Sequence, residues 1–77
     1  RLMHLFKQEV NKTIFQYLIE LRIKKASDLL KSTSLKVNVI SGIVGFQNTN
    51  FFNSKFKLIM KTTPLEFRRH NQIHNDP

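Results

Sequence analysis

The chain is expected to be all-helical, and three observations carry that expectation. Two glycines and two prolines in 77 residues leave long stretches free of helix breakers. No segment alternates apolar and polar residues for long, as a half-buried strand would. Two capping boxes, Thr13-x-x-Gln16 and Thr63-x-x-Glu66, mark places where helices begin.

Leu2, Phe6 and Val10 fall four apart and predict a helix from the first residue to about Val10. The chain starts in mid-helix, with neither an initiator Met nor a cap, so an upstream part of the protein is expected outside this sequence. Asn11 tolerates the left-handed backbone that ends helices. Thr13 opens a long helix running to about Lys31, with Ile14, Tyr17, Leu18, Leu21, Ala26, Leu29 and Leu30 as its expected buried face. Glu20 and Lys24, one turn apart, predict an ion pair contributing about 0.2–0.5 kcal/mol. Ser32-Thr33-Ser34 is the exit.

Val37, Ile40 and Val44 predict a third, short helix. Gly42 inside it costs roughly 1 kcal/mol relative to alanine, so packing must hold this element. Gly45 ends it and Phe46 turns inward. Asn48 caps a fourth helix whose buried stripe is Phe52, Phe56 and Ile59. Pro64 then sits at the first position of a fifth helix, where its missing N–H does no harm. That helix frays near Asn71, and residues 72–77 form a polar tail expected to be disordered.

Net charge is +8, from thirteen Lys and Arg against five Asp and Glu, which favours a polyanionic partner. The distribution is more informative than the total. No Asp or Glu lies between Asp28 and Glu66, whereas Lys31, Lys36, Lys55, Lys57 and Lys61 all do. The absence of cysteine excludes disulfides and thiolate metal sites and is compatible with a reducing cytoplasm. No apolar run approaches the ~18 residues of a membrane span. There is no paired carboxylate, nucleophile with its base, or glycine-rich phosphate loop, so no enzyme is read here, and no cofactor. His70 and His74 are four apart, but in a fraying tail without cysteine they are not read as a metal site.

The segment Gly45 to Lys57 combines a glycine turn with a helix whose polar face carries amides, hydroxyls and lysines. Such a face suits the major groove, where side chains hydrogen-bond to base edges and no carboxylate meets a phosphate. Displaced along itself, the chain repeats: Leu2 falls on Phe52, Phe6 on Phe56, Lys7 on Lys57, Thr13 on Thr63, Gln16 on Glu66 and Tyr17 on Phe67. Two capping boxes and two Phe-Lys pairs in register point to duplication. The predicted architecture is therefore tandem helix-turn-helix units joined by a long connecting helix, the first unit incomplete. Residues 1–12 end the first unit, 13–34 form the connecting helix, 35–71 the second unit with its closing helix, and 72–77 the tail.

Further residues carry a family resemblance: Leu21-Arg22 with Ala26, Leu29 and Leu30; Val37 and Ile40 ahead of Gly45-Phe46; then Phe52, Phe56, Lys57, Thr63, Pro64, Phe67 and Arg68. The chain resembles the C-terminal DNA-binding domain of bacterial AraC/XylS transcription regulators over residues 1 to about 69. That resemblance implies two helices entering successive major grooves, RNA polymerase as a second partner, and an effector-sensing domain outside this chain. Members usually have glycine where Asn11 and Lys61 stand, and alanine where Ser41 stands. Arg22 is expected to brace the connecting helix against a neighbouring unit.

Thr49, Asn50, Asn53 and Ser54 are the expected groove-facing residues, with Asn50 the foremost because an amide pairs with adenine at two atoms. Phe51 either touches a thymine methyl or packs on the protein. Lys36, Lys55 and Lys57 are expected at phosphates, as are Asn48 and the free amides at the helix start. On the first reading helix the candidates are Arg1, His4 and Lys7. Against sequence-specific binding of double-stranded DNA stands one alternative: a basic amphipathic helical module on an anionic membrane or protein partner. The asparagine-rich face argues against it.

Overall fold

The computed structural model describes residues 12–72. The readings of Leu2, Phe6, Val10 and Asn11, of the first reading helix and of the tail beyond Gln72 lie outside them. Four helices follow in order: α1 (Ile14–Ser32), α2 (Val37–Ile43), α3 (Thr49–Met60) and α4 (Pro64–Gln72). No strand occurs among the described residues, and the fold is all-α.

Side-chain caps start α1, α3 and α4 where the sequence places them. Thr13 Oγ1 accepts from Gln16 N at 3.1 Å while Thr13 N donates to Gln16 Oε1 at 2.9 Å, completing the box. Asn48 Oδ1 accepts from Phe51 N at 3.1 Å at the head of α3. At α4, Glu66 N donates to Thr63 Oγ1 at 3.2 Å, and Thr62 Oγ1 donates to Glu66 Oε1 at 3.1 Å. The donors to its carboxylate, the Thr62 hydroxyl first and then the Thr63 backbone N–H, hold Glu66 below its ordinary pKa of 4.5.

The core is where the helices meet. Ile19, Ile23, Ala26 and Leu30 form the buried stripe of α1, facing Ile40 and Val44, Phe46 in the turn, and Phe52 and Phe56 of α3. The aromatic rings run in a chain with centroids 5.2 Å apart for Phe46–Phe52, 5.8 Å for Phe52–Phe56 and 5.6 Å for Phe56–Phe67. Tilted and edge-on rings at these spacings are favourable beyond the area they bury. They tie the α2–α3 turn and α3 to α4.

This corrects the expected inner face of α1. Of the residues named for it, Ala26 and Leu30 are buried and Leu29 packs beside them, but Ile14, Tyr17, Leu18 and Leu21 are exposed. The helix carries apolar residues on two sides, and α2, α3 and α4 cover only the Ile19–Ile23–Ala26–Leu30 side. A second correction concerns Glu20. It pairs with Lys12, whose side chain lies back along the capped end, and not with Lys24.

Two turns fix how α3 is held. Gly45 has φ +107, a conformation that L side chains rarely adopt. Its carbonyl accepts a long 3.5 Å hydrogen bond from Arg22 Nη1, so Arg22 braces α1 against the α2–α3 turn. Lys61, at the C-cap of α3, is left-handed at φ 67, in the position where the family resemblance leads one to expect glycine.

Candidate nucleic-acid interface

The core takes Phe52 and Phe56, one side of α3, and this decides what the other side presents. Asn50, Asn53, Ser54, Lys57 and Leu58 are all exposed, spaced three and four apart along the helix. Asn53, Ser54, Lys57 and Leu58 line one shallow surface depression with Thr63. Amide, hydroxyl, ammonium and a short apolar end thus follow one another on a single outward stripe. No carboxylate lies on it.

The other expected contacts divide. Asn48 is exposed, with its amide oxygen engaged as the cap and its NH2 group still available as a donor. Thr49 is half-buried and turns with Asn53 towards a separate groove of about 640 Å³, where Lys36 and Arg68 also lie. Lys36 is exposed at the N-cap of α2 and gives that helix no side-chain cap. Lys55 stands apart from the stripe: its Nζ lies 5.5 Å over the Phe51 ring. Phe51 itself is tilted against Phe46 with centroids 5.9 Å apart and remains 42% exposed. It therefore packs on the protein while keeping one edge in solvent. Arg1, His4 and Lys7 lie outside the described residues.

Two residues at this surface escaped the sequence reading. Leu58 is 62% exposed on the outward stripe. Its spacing from Ser54 and Asn50, one and two turns on, was the available signal. Arg68 reaches the groove from α4, and no local pattern announces that. Its position depends on contacts more than thirty residues away in sequence.

Chemically, the surface offers several donors and acceptors to a polar partner and only cations to a charged one. It contains no nucleophile–base pair or carboxylate pair.

Comparison with known proteins agrees with this geometry. The family described as "Helix-turn-helix domain" matches residues 1–70. The chain is 41% identical over 63 residues to the xylose operon regulatory protein of Haemophilus influenzae, covering 82% of this chain and 16% of that protein. It is 42% identical over 64 residues to the HTH-type transcriptional activator RhaR of Mannheimia succiniciproducens, covering 83% of this chain and 23% of that protein. An AraC-type transcriptional regulator structure from Chromobacterium violaceum superposes with a TM-score of 0.84 at 31% identity, covering 91% of this chain and 62% of that one. The chain therefore spans less than a quarter of these two full-length relatives. The comparisons lend no support to the amphipathic membrane or protein module, and no helix among the described residues is long and apolar enough to cross a membrane. An acid-free outward stripe on a helix held by a glycine turn, on a chain so closely related to bacterial regulators, has one reading: the protein belongs to the AraC/XylS-type helix-turn-helix family, the sequence-specific DNA-binding domains of transcription regulators.

Proposed function

We propose that α3 is a reading helix lying in the major groove of double-stranded DNA, with Asn50, Asn53 and Ser54 towards base edges and Lys57 towards a phosphate. The observation that carries this is the outward stripe itself, whose side chains are polar or cationic apart from Leu58 at its end. Asn50 supplies the bidentate amide contact to adenine, setting about 1–3 kcal/mol of discrimination against a wrong base. Lys36 and Lys57 add sequence-independent, salt-dependent affinity. Leu58 supplies apolar contact to a thymine methyl or a sugar.

The chain divides functionally as the repeat implies. Residues 1–12 end a first reading helix carrying Arg1, His4 and Lys7, residues 13–34 connect, and residues 35–71 form the second unit. The two reading helices enter successive grooves on one face of the duplex, about 34 Å apart. The whole protein is a cytoplasmic transcription regulator with its effector-sensing domain outside this chain and RNA polymerase as its second partner. The lengths of the relatives support that division.

The test is binding to a site recovered by selection from random duplex DNA and to single-base variants of it. Asn50→Ala is expected to flatten the preference among sites, and Lys57→Ala to weaken all of them alike. Equal losses from both substitutions on every sequence would refute the assignment.

A further inference from the structure

The groove beside α3 has a composition that reading bases does not require. Lys36 at the start of α2, Thr49 and Asn53 on α3, and Arg68 on α4 all line it. Its lining includes two cations and no carboxylate.

Arg68 is held there by the end of α1. The Thr33 backbone N–H and hydroxyl both donate to Leu29 O, at 2.9 and 2.7 Å. The neighbouring carbonyls go to the guanidinium: Arg68 Nε donates to Leu30 O at 3.1 Å, and Nη2 to Thr33 O at 3.0 Å. Two donors in use leave three of the five that a guanidinium carries. Carbonyl partners orient the group without neutralising its charge. Among the described residues it has no ion-pair partner, and neither has Lys36.

We propose that this groove seats one backbone phosphate of the bound duplex, held between Lys36 and Arg68 with the Thr49 hydroxyl as a third donor. The proposal rests on the DNA-binding reading of α3 and deepens it by naming the contact that sets the helix's register. At about 640 Å³ the groove exceeds a phosphate and has room for the flanking sugars. Val37, Pro64 and Leu65 give those sugars an apolar wall. A preorganised arginine suits phosphate because its fork loses little freedom on binding. Thr49 is then drawn to the strand backbone, leaving Asn50, Asn53 and Ser54 to the bases.

The experiment uses the full chain and a duplex recovered by selection, with one phosphate at a time replaced by a neutral methylphosphonate. In the wild type, one position is expected to cost roughly ten-fold in affinity and to reduce the slope of log affinity against log salt by about 0.9. At that same position Arg68→Gln and Lys36→Gln are each expected to lose little more, since the charge they hold is already gone. Arg68→Lys is expected to keep the salt slope.

If Arg68→Gln does not fold, the Lys36→Gln cycle and the wild-type scan carry the test. Losses that simply multiply at every phosphate overturn the proposal. So does an Arg68→Gln that lowers stability and affinity while keeping the wild-type salt slope, since Arg68 is then only a clamp on α1. A wild type that prefers no duplex over a random pool defeats the DNA-binding reading itself. A preference without a coupled phosphate defeats the seat alone.

Discussion

Gly45→Ala isolates the turn that aims the reading helix. At φ +107 an L residue sits in sparsely populated backbone space, at a cost of about 1–3 kcal/mol. The added Cβ would also stand 3.1 Å from Arg22 Cζ and Nε. That contact is tight, but the far end of an arginine yields by a few tenths of an ångström, so the backbone dominates. A loss of about 2 kcal/mol follows, against a total of roughly 4–12 kcal/mol for a domain of this size. It corresponds to a fall of about 8–16 °C in melting temperature. Urea unfolding should show a lower midpoint with unchanged m. The companion measurement is Gly45→Ala in an Arg22→Ala background. Removing the guanidinium abolishes the steric part, so most of the loss must persist. A loss that vanishes there would show that crowding, not backbone conformation, demands glycine. A Gly45→Ala within ~0.5 kcal/mol of wild type would refute the account of the turn altogether.

Further outcomes are expected at Ser41, Gly42, Lys61 and Glu66. Ser41 is 1% exposed and its hydroxyl has no partner among the described residues, so Ser41→Ala should stabilise by about 1 kcal/mol in chemical denaturation; at its neighbour, Gly42→Ala should add about 0.5–1 kcal/mol, because among the described residues nothing beyond its own helix backbone and chain neighbours lies within 4 Å of the new methyl. Lys61→Gly relieves the left-handed strain after α3 and should gain about 1 kcal/mol, leaving preference among DNA sites unchanged. Glu66 is held below 4.5 by Thr62 and Thr63; its contribution to stability is therefore complete above pH 4.5 and is lost as pH falls through the lowered folded value. Glu66→Gln should flatten that acid limb in pH-dependent melts, and Thr62→Val should raise the Glu66 pKa measured by NMR.

What could be read in the sequence was local. The caps at Thr13, Asn48 and Thr63 need partners only three residues away, and each forms as expected. Gly45 and the inward Phe46 were legible for the same reason, as were Phe52 and Phe56 at helical spacing. The inner face of α1 was not. Ile14, Tyr17, Leu18 and Leu21 form as good an apolar stripe as Ile19, Ile23, Ala26 and Leu30, and periodicity cannot rank two faces of one helix. The Lys12–Glu20 pair was hidden because it spans a helix end that spacing rules ignore. Arg68's place in the groove beside α3 was missed for the opposite reason. The motif residues around it are local, but the carbonyls that hold it belong to α1. At the site, the amide-rich face of α3 was visible in the residue types, whereas the split of Thr49 from Asn50 appears only once α2 and α4 are in place.

The placement of acid explains why the candidate surface nonetheless stood out in the sequence. A helix that approaches DNA gains from keeping carboxylates away from the phosphates, because repulsion between exposed charges reaches about 8–10 Å in physiological salt. Among the described residues the carboxylates are Glu20, Asp28 and Glu66. Glu20 is paired with Lys12. Glu66, the acid nearest α3 in sequence, is drawn onto Thr62, Thr63 and the head of its own helix, where the helix dipole also favours it. A capping box normally only starts a helix. Here the Thr62 and Thr63 donors hold the carboxylate, still charged, at the head of α4 and not on the outward stripe of α3, so one local motif serves both the fold and the placement of charge.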